Sequence, residues 1–165
     1  MSLSLPPTSR RDFLKTTAAA SLLATPAFVP ATALAGPNRT GANGKIRVGL
    51  IGAGNRAKWL SRCMARESAR AELVAVCDLR RDNAEHLAGQ AEDLLGQRPQ
   101  IFTSMEAMVH ALPDLQGVDI TTDSGSHHVV ATEAFGLGVH VFLEKASALS
   151  IRGASQILAA QERAA

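Results

Sequence analysis

The sequence predicts an α/β fold built on a doubly wound parallel sheet, and three observations predict it. Short aliphatic runs alternate with helical patterns from residue 45 to residue 165. The first of these runs, in KIRVGLIGAGN (residues 45–55), passes straight into Gly52-Ala53-Gly54 and then into a helix-compatible segment with Ala57 as a third small residue. The second run, ELVAVC (residues 72–77), is almost continuously apolar, as a strand buried on both faces must be, and it ends on Asp78, roughly twenty positions beyond the glycines.

A strand, a glycine turn and a helix start, in that order, are the context in which these glycines carry a dinucleotide-binding meaning. Gly52 permits the tight turn, Gly54 lets the backbone approach a pyrophosphate, and the first N–H groups of the following helix, with Ala53, Asn55 and Arg56 beside them, receive the phosphate charge. An acid at the tip of the second strand accepts the two hydroxyls of an adenosine ribose and repels a 2′-phosphate, which favours NAD over NADP. Arg80 and Arg81 lie close enough to stack on adenine or to receive a 2′-phosphate, so NADP stays open. Taken alone, Asp78 also reads as the N-cap of the next helix.

The remaining elements follow in alternation. Residues 58–67 carry Trp59, Leu60, Cys63 and Met64 at helical spacing. Residues 82–95 place Ala84, Leu87, Ala88, Ala91, Leu94 and Leu95 on an apolar side and stop at Gly96. Residues 100–102 form a third strand, Ser104 caps a helix ending before Pro113, and residues 117–122 form a fourth strand. The loop 123–126 precedes a helix that begins at His127 and stops near Gly136 or Gly138. Residues 139–143 are the fifth strand, followed by Glu144-Lys145, and residues 150–164 are a last helix with Ile151, Ala154, Ile157 and Leu158 inward. Right-handed crossovers leave few strand orders, and in the usual dinucleotide-binding order, the Rossmann-type 3-2-1-4-5, the crevice lies between strands one and four at their carboxyl ends. The glycine turn, Asp78, the 123–127 loop and Glu144-Lys145 all fall on that edge.

Composition narrows the functional classes. Of 165 residues 46% are hydrophobic, enough for one core, and the net charge of +2 is spread without a basic stripe. Tyrosine is absent and Trp59 is the single tryptophan, which argues against base-stacking surfaces and nucleic-acid binding. Cys63 and Cys77 form neither a metal pattern nor a disulfide framework, and they read as small packed hydrophobes. His127 and His128 lack a third ligand at metal spacing, so no metal is expected. His127 is either a proton relay or a structural helix residue, and His128 reads as structural.

Residues 1–35 read as an address. Arg10-Arg11 precede Phe13-Leu14, a mildly apolar stretch follows to Val29, and Ala33-Leu34-Ala35 supplies a small-x-small cleavage site. The pattern is that of a bacterial twin-arginine signal, with the export machinery as partner and the periplasm as destination. Pro26 and Pro30 interrupt the stretch and leave it too short for a membrane span. Residues 36–44, GPNRTGANG, are a spacer, and residues 45–165 are the nucleotide-binding domain.

With VGLIGAGNRA, LVAVCDLR, VDITTDSGSHH and GVHVFLEKA in hand, the chain resembles the glucose-fructose oxidoreductase and inositol dehydrogenase (Gfo/Idh/MocA) family over roughly residues 45–162. The resemblance implies that Glu144 and Lys145 lie beside the nicotinamide ribose and ring, with Lys145 reaching toward substrate. It also implies that Ser124, Gly125, Ser126 and His127, following Thr122, line the nicotinamide side of the cleft. Two positions depart from the family pattern. Ala146 stands where proline, often on a cis bond that fixes the lysine, is usual, and Asp123 stands where Thr-Pro is usual. By its own chemistry, Lys145 is either an ammonium that orients a substrate hydroxyl or one half of a solvated ion pair with Glu144.

Enzymes of this family carry their principal acid/base group on a second α+β domain. The chain closes on Gln161-Glu162-Arg163-Ala164-Ala165 with no sixth strand, so it is expected to be the cofactor half of an exported sugar or polyol oxidoreductase, inactive alone. Homo-oligomers are expected only of a full-length form. The alternatives are an NAD-dependent glycosidase that oxidises and eliminates, or a non-catalytic dinucleotide-binding module.

Overall fold

The computed structural model describes residues 44–67 and 69–165. The expected signal at 1–35, and the spacer except for Gly44, lie outside the described residues. In chain order the elements are β1 (Ile46–Ile51), α1 (Asn55–Arg66), β2 (Ala71–Cys77), α2 (Arg81–Leu95), β3 (Gln100–Phe102), α3 (Met105–Ala111), β4 (Gly117–Ile120), α4 (His127–Gly136), β5 (His140–Leu143) and α5 (Ile151–Ala164). The five strands form one sheet of order β3-β2-β1-β4-β5, as expected, and every pairing is parallel.

Two apolar layers hold the sheet. Leu50, Leu73 and Val76 pack with Ala57 of α1 and Ala84, Leu87 and Ala91 of α2, while Ile51, Val118 and Ile120 pack with Met105 and Met108 of α3 and Ala131 and Ala134 of α4. α2 follows the predicted stripe at Ala84, Leu87, Ala88 and Ala91, though Leu94 faces solvent, and it ends on Gly96, whose φ of 72° is the left-handed geometry of a helix stop. α3 begins at Ser104, whose hydroxyl accepts the Ala107 N–H.

Two helices turn differently from the expectation. In α1 the buried residues are Ala57 and Ser61, and Trp59 is 50% exposed. A helix leaving a tight turn lies close to the sheet, so small side chains fill its first turns, while Met64 at its far end packs against the core. In α5 the buried residues are Gly153 and Ala160, whereas Ile151 and Leu158 face outward. A Cβ at Gly153 would sit 3.2 Å from the His128 ring, so the close approach of α5 to α4 at that point selects glycine. Large aliphatic residues mark an inward face only where the helix spacing leaves room for them.

β4 is also shorter than expected, ending at Ile120. Thr121 still donates its N–H to Ile51 O at 2.8 Å, but its hydroxyl bonds to Gly52 O at 2.7 Å. The chain leaves the ladder there to grip the glycine turn.

The two glycines of that turn differ in what they need. Gly52 has φ +92°, and a Cβ on it would come within 2.9 Å of Thr122 N. Gly54 has φ −78°, and a Cβ there would meet nothing within 4 Å. Gly52→Ala is therefore expected to cost about 1–3 kcal/mol of stability, and Gly54→Ala less than about 1 kcal/mol. Urea unfolding of the two variants measures the difference, and equal costs would contradict the assignment of the turn geometry to Gly52.

Candidate dinucleotide site

A cleft of about 720 Å³ opens at the carboxyl ends of the strands, lined among others by Gly52, Gly54, Asn55, Arg56, Asp78, Thr122 and Ser126. These seven predicted residues come from three separate segments that the sheet order brings together. α1 begins at the cleft with Gly54 as N-cap, with no side-chain cap and no acid in its first turn. Its leading N–H groups, which no helical turn can satisfy, are left for an anionic ligand.

Asp78 holds the turn from the β2 side. Its Oδ2 accepts the Ala53 N–H at 2.7 Å, and its Oδ1 accepts the Arg80 N–H at 2.9 Å and the Asn83 amide at 3.4 Å. The carboxylate thus braces Ala53 and the turn ahead of α2, but it is not that helix's N-cap, which is Arg80 with no side-chain cap; a carboxylate oxygen retains further lone pairs for ribose hydroxyls. Arg80 is not among the lining residues; its guanidinium pairs with Asp82 at 2.9 Å in solvent. Leu79, Asn83 and Thr103 to Met105 line the same end of the cleft.

On the β4 side Asp123 organises the loop. Its Oδ1 accepts the Gly125 N–H at 2.9 Å and the Ser126 N–H at 3.2 Å. The Ser126 hydroxyl bonds to Thr122 Oγ1 at 2.9 Å and lies 3.0 Å from Asp123 Oδ2. The Ser126 hydroxyl first, and then these amides, hold the Asp123 carboxyl below its usual range. Aspartate here makes a compact turn of its own, at the position where the resemblance implies Thr-Pro. Ser124 and Gly125 belong to this turn without lining the cleft.

His127 is only 1% exposed and stands behind the cleft wall. Nδ1 lies 2.8 Å from Ala146 O and Nε2 lies 3.1 Å from Thr122 O. Both ring nitrogens therefore face backbone carbonyls, and the ring joins the loop after β4 to the loop after β5. The Lys145–Ala146 peptide is cis, and the Lys145 side chain is exposed.

Glu144 is 9% exposed and accepts Arg56 Nε at 2.6 Å and Nη2 at 2.5 Å, both on Oε1, while its Oε2 receives the Lys145 N–H at 3.3 Å. The Arg56 guanidinium lowers the Glu144 carboxyl below its usual range and stacks 4.4 Å above the Trp59 ring. Beneath lies Asp119 of β4, 8% exposed, whose Oδ1 is buried without a hydrogen-bond partner. Burial, and then the charge of Glu144, raise the Asp119 carboxyl from 3.8 to about 6.

Cys77, which also lines the cleft, is raised to about 11, chiefly by burial. A thiol so protonated is a packing residue. Among the described residues no group of three histidine, cysteine or acidic side chains is placed to hold a metal ion.

Thr121, Asn83 and Asp119 were not marked by the sequence pattern. Thr121 carried the one usable signal, a hydroxyl at a strand tip facing the glycine turn. Nothing local distinguishes Asp119 from an ordinary strand residue.

A glycine turn braced by an acid at the neighbouring strand tip, at the switch point of an order 3-2-1-4-5 sheet, defines a dinucleotide-binding domain. Comparison with known proteins makes the assignment specific. Residues 46–165 match the model of the Gfo/Idh/MocA oxidoreductase family, NAD-binding Rossmann fold, and residues 7–27 match the twin-arginine translocation signal sequence. The chain belongs to the Gfo/Idh/MocA family, and these residues are its NAD-binding domain. The signal directs export through the twin-arginine pathway, typically to the periplasm.

Among similar proteins, glycosyl hydrolase family 109 protein 1 of Akkermansia muciniphila is 32% identical over 123 residues, covering 72% of this chain and 25% of its own length. UDP-N-acetylglucosamine 3-dehydrogenase of Acidithiobacillus ferrooxidans is 33% identical over 119 residues, covering 72% of this chain and 34% of its own. The structure of the WlbA dehydrogenase from Bordetella pertussis, in complex with NADH and UDP-GlcNAcA, superposes with a TM-score of 0.61 at 30% identity, covering 73% of this chain and 35% of that one. The chain thus spans about a quarter to a third of the length of these relatives.

Asp119 gives this site a pH signature. Between 3.8 and about 6 the folded state holds more protons than the unfolded one, so the penalty of ionised Asp119 is present above that window and is relieved as pH falls through it. Asp119→Asn is expected to stabilise the domain by about 1–2 kcal/mol near pH 8 and by almost nothing near pH 4. Urea midpoints at the two pH values measure this, and an equal effect at both would contradict it.

Proposed function

We propose that this chain is the cofactor-holding half of an exported NAD-dependent oxidoreductase acting on a sugar or polyol. The observation that carries the reading is the glycine turn held between Asp78 and Thr121 at the mouth of the cleft, with the α1 N-terminus uncapped. The residues fit a dinucleotide. A Cβ on Gly54 would enter open space at the cleft lining, where a ligand's pyrophosphate needs close approach to backbone.

In this reading the amides of Gly54, Asn55 and Arg56 receive the pyrophosphate, and Asp78 accepts the adenosine ribose hydroxyls. Thr122 and Ser126 face the nicotinamide half. His127, with its two carbonyl contacts, holds the loop that carries Lys145, and Lys145 orients a substrate hydroxyl. When bound, NAD supplies reversible hydride acceptance at its nicotinamide ring. The principal acid/base group and the substrate-selecting contacts lie outside these residues. Residues 1–35 serve as the signal, 36–44 as the spacer and 45–165 as the cofactor domain.

A second reading, an NAD-dependent glycosidase that oxidises transiently and eliminates the aglycone, draws on the family 109 glycosyl hydrolase relatives. In a longer form carrying a substrate domain, net turnover of added NAD supports the dehydrogenase. Cleavage of a nitrophenyl glycoside without net turnover supports the glycosidase.

Fluorescence titration of the full chain with NADH and NADPH tests the cofactor reading. Saturable binding with NADH preferred is expected. Asp78→Ala is expected to weaken NADH by about tenfold or more and NADPH by less, because the substitution removes ribose acceptors and also the charge that repels a 2′-phosphate. Absence of saturable binding to the wild type would sink the proposal.

A further inference from the structure

Arg56 is the second residue of α1, where the helix dipole favours an anion and no acid stands in the first turn. A cation at that position needs a partner elsewhere. It is either the ligand itself or another part of the protein.

The structure supplies a protein partner. Two guanidinium nitrogens, Nε and Nη2, converge on one oxygen of Glu144, which lies 88 residues away in sequence. The guanidinium plane is set by the Trp59 ring below it at 4.4 Å, so its direction is held from two sides. Glu144 in turn receives the Lys145 N–H through its other oxygen. The unpartnered Oδ1 of Asp119 adds a second nearly buried carboxylate to this neighbourhood. Two carboxylates at that depth repel each other, and Arg56 is the cation hydrogen-bonded to the pair member at the strand tip.

We infer that Arg56 is a positioning residue that ties the start of α1 to the tip of β5, fixing Glu144 and the Lys145 peptide for the nicotinamide half of the cofactor, while the pyrophosphate rests on the backbone of the glycine turn. The inference depends on the NAD reading above. It assigns the arginine after the glycine turn to the nicotinamide end of the cleft, although its position in the chain points to the phosphates.

Ligands that share the pyrophosphate and differ in the nicotinamide half test this directly. Calorimetric titration of the full chain with ADP and with NADH is expected to show both binding to the wild type. For Arg56→Gln, NADH is expected to weaken by about tenfold while ADP stays within about twofold of the wild type. Glu144→Gln, which keeps the side-chain shape, is expected to show the same split, and the double variant to lose no more than either single one. Trp59, the sole tryptophan, reports the latch independently: its emission is expected to shift in Arg56→Gln. Equal losses of ADP and NADH in Arg56→Gln would mean that the guanidinium binds pyrophosphate, and would overturn the inference while leaving the NAD reading intact. A normal NADH affinity in Glu144→Gln would also overturn it. A wild type that binds neither ligand would overturn the NAD reading and this inference together.

Discussion

The hydrogen bond from the Ala53 N–H to Asp78 Oδ2, at 2.7 Å, is the contact on which the site depends. It joins the turn after β1 to the tip of β2, and the Thr121 hydroxyl on Gly52 O joins the same turn to the tip of β4. A turn at φ +92° gains little from its own local structure. Held from both neighbouring strands, with the Gly52 and Ala53 N–H groups bonded to Cys77 O and Asp78 Oδ2, it presents the uncapped start of α1 at the cleft without help from a ligand. That preorganisation lowers the ordering cost of binding. The same carboxylate also accepts the Arg80 N–H, so one acid fixes both the glycine turn and the entry to α2.

The second organising influence is electrostatic. Asp119 on β4 and Glu144 just past the end of β5 are both nearly buried, and their charges interact. A buried carboxylate without a hydrogen bond is costly, and the fold meets that cost in two ways. Glu144 stays ionised because Arg56 reaches it across the gap between α1 and β5. Asp119 has no donor at Oδ1, and its proton affinity rises to match. Glu144 is therefore held by one guanidinium beside a second nearly buried carboxylate, while the glycine turn is held by Asp78 and Thr121.

Much of this was legible in the amino-acid sequence, because strands buried on both faces show themselves as short aliphatic runs, and crossover handedness leaves few orders, among which the glycine turn points to the usual dinucleotide-binding one. Gly52, Gly54 and Asp78 were legible because a turn, a close approach and a strand-tip acid each require a residue type. The inward faces of α1 and α5 were legible only in part, at Met64 and Ile157. Trp59 and Ile151 carry the hydrophobicity there, yet Ala57, Ser61 and Gly153 make the contacts, since helix spacing rather than side-chain polarity selects them. His127 was legible as a residue of the site's edge, but its role depends on the Ala146 and Thr122 carbonyls, which only the folded chain brings to it. The pairing of Arg56 with Glu144 joins the first helix to the last strand, a distance over which local pattern carries no information.

The central claim is that a glycine turn braced by its neighbours makes the carboxyl edge of this sheet a dinucleotide cleft. Backbone amide ¹H–¹⁵N spectra recorded with and without NADH test it at residue level. The account predicts that the amides of Gly52, Ala53, Gly54, Asn55 and Arg56 shift on addition of NADH, together with those of Arg80, Ser126 and Lys145, while Arg70 and Gln116 at the opposite edge of the sheet stay in place. Shifts confined to the groove between α4 and α5, around His128 and Arg163, with the glycine-turn amides unmoved, would contradict it.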